Sequence, residues 1–267
     1  MQPNTSWPDA RPALSPYRNP SRGKAIWQLT NTMVPYAGLW YLMILSIRHD
    51  FSYWWTLALS VVAAGFLVRL FILFHDCAHA SFLPSKPANN WVGRLLGVLV
   101  FTRFDDWRLS HLRHHVSYTN LMSVVLTNLA IVGVFLVAAQ TMGWQTYLLI
   151  QLPVLWLAGM GGIWLFYVQH QFDGGYWARK SEWDPLRAAM EGSSYYQLPN
   201  ILRWFSANIG YHHIHHLNAR IPNYRLPECY NKVPAVRARK PLTLRQSLTA
   251  FRLKLWDENQ GKMVAFP

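Results

Sequence analysis

Histidines are the residues of this sequence whose spacing most clearly predicts chemistry. Nine of the 11 histidines fall in three short motifs, HDCAH at 75–79, HLRHH at 111–115 and HHIHH at 212–216. Within the motifs they stand four residues apart or at positions i, i+3 and i+4, which on a helix places the rings on one face about one turn apart. Neutral imidazole is a ligand for iron, copper, zinc and nickel. The motifs therefore predict a metal site.

The sequence offers nine candidate metal ligands. They are eight histidines of the three motifs and one that ends a long apolar stretch: His75, His79, His111, His114, His115, His170, His212, His215 and His216. This number exceeds what one ion can bind, so the sequence predicts two metal ions. A zinc pair for hydrolysis normally recruits carboxylates as well, whereas iron activates dioxygen. His170 has an alternative interpretation, as a polar tip that reaches the membrane interface.

Two polar residues near the motifs are candidates for supporting the ligands. Asp76 follows His75 and can orient an imidazole as a hydrogen-bond acceptor, with a solvated ion pair as the alternative. Asn208 lies one helical turn before His212 and can hydrogen-bond a metal-bound water, with a capping role as the alternative. The sequence alone leaves both alternatives open.

Long apolar stretches predict an integral membrane protein. They cover residues 26–47, 53–74, 122–139 and 146–168. At 1.5 Å per residue, the first of these extends about 33 Å as a helix, enough to cross a hydrocarbon core of roughly 30 Å. Apolar residues make up 52% of the chain and charged residues only 14%. This composition argues against a polar nucleic-acid-binding domain as the reason for the net charge of +13.

The basic residues predict the orientation of the spans. Lys and Arg are concentrated before residue 26, between 75 and 121, and after 168. This distribution predicts four spans in two hairpins with both termini in the cytoplasm. All histidines except His49 then lie on the cytoplasmic face. Residues 1–25 are polar and Pro-rich and are predicted to form a flexible cytoplasmic tail, so that a single membrane domain covers 26–267.

The motifs and their surroundings resemble the membrane-bound fatty acid desaturases, and within them the acyl-lipid Δ12 or omega-6 group. The resemblance is carried by FHDCAHASF at 74–82, by WRLSHLRHH at 107–115 and by EGSSYYQLPNILRWFSANIGYHHIHHLNARIPNYRLPECY at 191–230. It extends over most of the chain, from Tyr53 to Tyr230. The last run is much more specific than the histidine spacing alone.

This resemblance implies an all-α integral membrane fold, in which four transmembrane helices in two hairpins support a cytoplasmic helical cap with the histidine boxes. It implies a non-haem di-iron centre held by the eight box histidines and one additional histidine, a position that His170 fits. His213 lies outside the box pattern and is expected to support the ligands from a second layer.

The resemblance also implies a reaction. With O₂ and reduced iron, a desaturase inserts a cis double bond into an acyl chain of a membrane lipid, and the Δ12 type converts monoenes to dienes. Electrons are expected from a separate ferredoxin or cytochrome b5 type donor. The expected location is a bacterial inner membrane.

One departure from the Δ12 group follows the second motif. The chain passes from HHVSYTN at 114–120 to VVLTNLAI at 124–131, where relatives carry a much longer, partly hydrophobic segment. The shorter segment can change the cap, the donor contact or the acyl channel, so the substrate and the activity of this member remain open.

Two other functions fit parts of the pattern. Di-iron hydroxylases and ketolases of carotenoids or other lipids share the histidine spacing, although the run EGSSYYQLP favours a desaturase. A membrane metal transporter or metal-binding protein is the alternative from another class. That alternative expects ligands inside the spans, along a permeation path, whereas the histidines here stand outside them.

Overall fold

The computed structural model describes residues 10–112 and 121–266, which are mostly helical. The α-helices are α1 Arg11–Leu14, α2 Arg22–Arg48, α3 Tyr53–Ala78, α4 Lys86–Leu99, α5 Phe104–Leu112, α6 Leu121–Met142, α7 Trp144–His170, α8 Pro185–Glu191, α9 Asn200–Phe205, α10 His212–Leu217, α11 Leu226–Lys232, α12 Pro234–Arg237 and α13 Leu244–Ser247. Turns of 3₁₀ helix cover Ser15–Arg18, Lys180–Glu182, Asn223–Arg225 and Leu248–Arg252.

Four strands of three residues each depart from the all-α prediction. They are β1 Tyr195–Gln197, β2 Pro241–Thr243, β3 Leu255–Asp257 and β4 Lys262–Val264. Strand β1 pairs in parallel with β2, and β3 pairs antiparallel with β4. These strands are too short to give a periodic sequence signal, and backbone pairing in the folded chain defines them.

The chain divides into two compact units. One, called here the 20–162 unit, covers Pro20–Gly162, and the other, called the 163–267 unit, covers Ile163–Pro267 together with Met1–Asn19. The first histidine motif and His111 of the second belong to the 20–162 unit. His170 and the third motif belong to the 163–267 unit. The prediction of one membrane domain over 26–267 stays a prediction.

Among the described residues, three helices are long and apolar enough to cross a membrane by length and composition, namely α3, α6 and α7. They match the predicted spans at 53–74, 122–139 and 146–168 and extend each by a few residues. The predicted span at 26–47 is also a continuous helix, α2, but it is more polar. The fourth span therefore stays a prediction.

Two buried polar residues of α2 contact α3. Thr32, fully buried, accepts a hydrogen bond at 3.0 Å from Nε of Arg69, which is itself 3% exposed. Nearer the turn between the two helices, Thr56 Oγ1 donates to Ser46 Oγ at 3.3 Å. Polar side chains buried between helices can satisfy one another within a bilayer. The interface with α3 thus gives α2 a buried polar stripe, which composition alone cannot distinguish from a polar surface.

The turns at one end of these helices are tied together. Arg48 Nη2 donates to the carbonyl of Thr141 at 2.9 Å, and Tyr53 Oη donates to the carbonyl of Leu149 at 2.8 Å. Gly143 makes the tight turn between α6 and α7 with φ of +87°, a backbone conformation that suits glycine. The α2–α3 and α6–α7 turns therefore lie side by side in the 20–162 unit.

Residues 10–25 differ from the predicted flexible tail. Ala10 and Leu14 are buried in an apolar cluster of the 163–267 unit that also contains Tyr195, Ile214 and Val236. Apolar side chains in a Pro-rich segment thus find a core that local composition does not reveal. Residues 1–9 lie outside the described residues.

We expect Thr32→Val to destabilise the protein by roughly 1 to 3 kcal/mol, because it removes a buried acceptor of the Arg69 guanidinium. The measurement is thermal unfolding of the purified protein in detergent, which should show a lower melting temperature. Thr30→Val is the matched control, since Thr30 lies on the exposed side of the same helix. Equal melting temperatures for both variants would contradict the role of this contact.

Candidate metal centre

Both histidines of the first motif and His111 of the second converge in the 20–162 unit. His75 lies in the last turn of α3, His79 follows that helix directly, and His111 lies near the end of α5. One ring nitrogen of each lies within 4.8 Å of the others, and the Nε2 atoms of His79 and His111 are 3.1 Å apart. His75 is 5% exposed. We call these three residues the first cluster.

Buried polar residues contact the first motif and the segment that follows it. Asp76, 1% exposed, places its Oδ1 3.4 Å from Nδ1 of His75. The predicted role of Asp76 as an orienting acceptor stays a prediction. Asn89, fully buried, accepts from the backbone nitrogen of Leu83 at 3.0 Å and donates to its carbonyl at 2.7 Å. The segment that leaves His79 is thereby attached to α4.

Helix α5 is placed by packing against α3 and α4. Phe104 meets the ring of Phe74 edge-on at 5.5 Å. Gly93 on α4 leaves room for Phe104, because a Cβ atom at this position would come within 2.1 Å of the phenyl ring. Arg94 Nε donates to Asp105 Oδ2 at 3.0 Å. Asp105, which precedes the second motif, thus forms an ion pair with α4.

A second cluster lies in the 163–267 unit. It consists of His170 at the end of α7 and of His212 and His216 on α10, with one ring nitrogen of each within 4.8 Å of the others. Nε2 of His212 lies 3.0 Å from Nε2 of His170 and 3.0 Å from Nε2 of His216. His170 therefore points toward its predicted partners and not only toward an interface.

The end of α7 and the start of α10 are fixed by residues with no histidine signal. Gln169 donates from Nε2 to the carbonyl of Ile209 at 3.2 Å, and its own carbonyl accepts from the backbone nitrogen of Ser194 at 3.0 Å. Ser194 also accepts at its carbonyl from the backbone nitrogen of His213 at 3.3 Å. Sequence reasoning missed Gln169, although its position next to His170 was a usable signal.

Helix α10 also requires a close approach between backbones. Tyr196 donates its backbone N–H to the carbonyl of Gly210 at 2.7 Å. A Cβ atom at Gly210 would lie 2.4 Å from the carbonyl oxygen of Tyr196, so only glycine fits without movement. The segment entering α10 is therefore held against strand β1.

The remaining predicted site residues have defined places, except two. His215 is buried on α10, with its ring centroid 5.5 Å from that of His212. His213 is fully buried, and its Nε2 donates to the carbonyl of Val236 at 3.0 Å. Asn208 donates to the carbonyl of Asn223 at 3.3 Å. His114 and His115 lie outside the described residues.

Burial keeps two of these imidazoles neutral. The pKa of His79 is lowered to about 2, chiefly because burial disfavours the charged ring, with His75 and His111 adding to the effect. Burial likewise lowers the pKa of His213 to about 4. A neutral imidazole is the form that binds metal. The His79 ring therefore has the protonation state that a ligand needs.

The spacing of the nitrogens fits a metal ion in each cluster. Two imidazole nitrogens that bind one ion at right angles, each about 2.1 Å from it, lie about 3 Å apart, and opposite ones lie about 4.2 Å apart. The closest nitrogens here are 3.0 and 3.1 Å apart, and each set stays within 4.8 Å. All-imidazole donors suit iron, copper, zinc or nickel rather than calcium or magnesium.

Comparison with known proteins begins with a family model. The model described as fatty acid desaturase matches residues 52–123 and 120–247. The two matched pieces meet at 120–123, directly after the second motif, where the sequence passes from HHVSYTN to VVLTNLAI. The break lies where the chain is predicted to lack a segment.

Individual relatives agree with the family model. The chain is 35% identical to a fatty acid desaturase of Bacillus subtilis (strain 168), over 95% of this chain and 89% of the relative. It is 42% identical over 20% of its length to the sn-1 acyl-lipid omega-3 desaturase (ferredoxin) of Synechocystis, covering 14% of that protein. It is 38% identical over 27% of its length to the sn-1 oleoyl-lipid 12-desaturase of Arthrospira platensis, covering 20% of that protein.

The alignment with the Bacillus relative extends over 314 positions, although this chain has 267 residues. The relative therefore carries residues that this chain lacks. The match nevertheless covers 95% of this chain at 35% identity, and this coverage decides the family. With its apolar helices and its two histidine clusters, the chain belongs to the fatty acid desaturase family.

Proposed function

We propose that this protein is an acyl-lipid desaturase that inserts a cis double bond into a membrane-lipid acyl chain, of the Δ12 or omega-6 type. The observation that carries the proposal is the presence of two histidine clusters with metal-ligand spacing in a chain of the desaturase family. The name of the Arthrospira relative, an oleoyl-lipid 12-desaturase, supports a monoene substrate carried on a lipid and a diene product.

We further propose that the ligands belong to a di-iron centre with nine histidines. The first cluster and the second cluster supply six of them. His215, His114 and His115 complete the set, as the family pattern implies. When bound, reduced iron supplies the activation of O₂.

The chain's own residues have simpler tasks in this proposal. The ligand imidazoles present their nitrogen lone pairs, and burial keeps the His79 ring uncharged. Asp76 holds the proton on Nδ1 of His75, which leaves Nε2 as the ligand atom. His213 and Gln169 attach α10 and the end of α7 to neighbouring backbone, so that the ligand rings keep fixed positions.

The electron donor is proposed to be a separate small protein of the ferredoxin or cytochrome b5 type. The Synechocystis relative is named as a ferredoxin-dependent enzyme. The net charge of +13 favours association with an acidic donor by charge complementarity. A bacterial inner membrane is the proposed location, in line with the bacterial relatives.

We expect the purified protein to hold two iron ions per chain, with each cluster responsible for one. His75→Ala and His170→Ala should each lose about one equivalent, because each removes a ligand from a different cluster. Iron is measured by elemental analysis against protein concentration. His49→Ala is the matched control, since His49 is exposed and belongs to neither cluster. Full iron content in both cluster variants would contradict the ligand assignment.

Expression in a bacterial host together with a ferredoxin system should yield a new diene fatty acid. Mass spectrometry then locates the double bonds and so determines the regiospecificity. His111→Ala should abolish the product, because it removes a ligand of the first cluster, whereas His49→Ala should retain it. A new oxygenated lipid in place of the diene would instead establish a hydroxylase. An iron-loaded chain that leaves the lipids unchanged would contradict the proposed reaction.

We also propose four spans with both termini in the cytoplasm, which requires α2 to cross the membrane. In intact spheroplasts, a membrane-impermeant maleimide should label His49→Cys but should label Lys24→Cys only after permeabilisation. Both positions are exposed, and the native Cys77 and Cys229 are fully buried, which keeps background labelling low. Labelling of both variants from the same side would show that α2 does not cross.

A further inference from the structure

An aromatic residue that is not a metal ligand touches ligand rings from both helices of the first cluster. Trp107 lies one helical turn before His111 on α5, and its indole stacks on that imidazole with ring centroids 4.3 Å apart and planes 13° apart. The same indole meets the ring of His75, on α3, at 5.6 Å and 68°. The indole N–H is a donor only, so Trp107 cannot itself bind the ion.

The indole is in turn held by the phenyl rings of α3. Phe74 lies 5.2 Å from it at 60°, and Phe71 lies 5.7 Å from it at 82°. Phe74 is fully buried and also contacts Phe104. The plane of Trp107 is therefore set by neighbours that cannot easily move, and the stacked His111 ring receives that orientation.

The orientation of an imidazole matters because its second side-chain torsion has a broad energy profile. A ligand ring normally has its plane fixed by a hydrogen bond from its other nitrogen. For His75, Asp76 occupies that position at 3.4 Å. For His111, the parallel indole can do the same task by contact of ring faces, an arrangement that aromatic pairs favour.

We propose that Trp107 is a positioning residue for the first metal ion: its stacked indole fixes the plane of His111 and thereby determines the affinity and ligand geometry of that site. The inference rests on the proposed metal centre. It assigns to Trp107 a task beyond packing between α3 and α5.

The test is metal binding by the purified protein in detergent, with Co²⁺ as the probe and a chelator as the competitor. Trp107→Leu keeps much of the bulk but removes the ring, and we expect about tenfold weaker binding of one equivalent together with a changed visible spectrum of the bound Co²⁺. Trp107→Phe keeps a stacking ring and should restore most of the affinity. Trp91→Leu is the control, since Trp91 is 66% exposed on α4.

The second cluster serves as an internal control in the same experiment. Under the positioning role, the equivalent bound by His170, His212 and His216 keeps its wild-type affinity in Trp107→Leu. Loss of both equivalents in both Trp107 variants would mean a merely structural role and would overturn the inference. Wild-type affinity and spectrum in Trp107→Leu would overturn it while leaving the metal centre intact. A wild-type protein that binds no Co²⁺ would overturn the proposed metal centre as well.

Discussion

Crowded imidazoles are tolerated in a protein only when they stay uncharged and keep fixed orientations, and the rest of this structure depends on that constraint. Ring nitrogens lie 3.0 to 3.1 Å apart in each cluster. At such distances two protonated rings would repel strongly. In the first cluster, burial answers the first requirement for His79, since it lowers the pKa of that ring to about 2. Packing at helix ends answers the second.

The two clusters meet the second requirement by different means. In the first cluster, aromatic packing orients the ligand rings. Trp107 contacts both Phe74 and the ligand rings, and Gly93 makes room for the ring of Phe104. In the second cluster, backbone contacts hold the elements that bear the ligands. Gly210 admits close approach of strand β1, and Ser194 links the end of α7 to α10. A helix of six residues such as α10 has little intrinsic stability, so its orientation comes from these attachments.

Membrane insertion imposes a second demand, that polar groups in the spans find partners. Arg69 on α3 meets it through Thr32 on α2, with both side chains at or below 3% exposure. This contact explains why α2 can be a long helix beside an apolar one although its own composition is mixed. Such a pair is also costly to break, because a buried hydrogen bond to a charged group is lost.

The sequence by itself determined the family, the histidine motifs and the approximate position of three apolar helices, because ligand spacing and long apolar runs are local properties of the chain. It also predicted His170 as a metal ligand and Asp76 as an acceptor that orients a ligand ring. Only the tertiary structure decided which histidines share a cluster, that residues 10–25 contain a helix with Leu14 buried in a core, and that Trp107 stacks on His111. Those facts depend on contacts between residues far apart in the chain, and local patterns carry no information about which distant partner a buried side chain will meet.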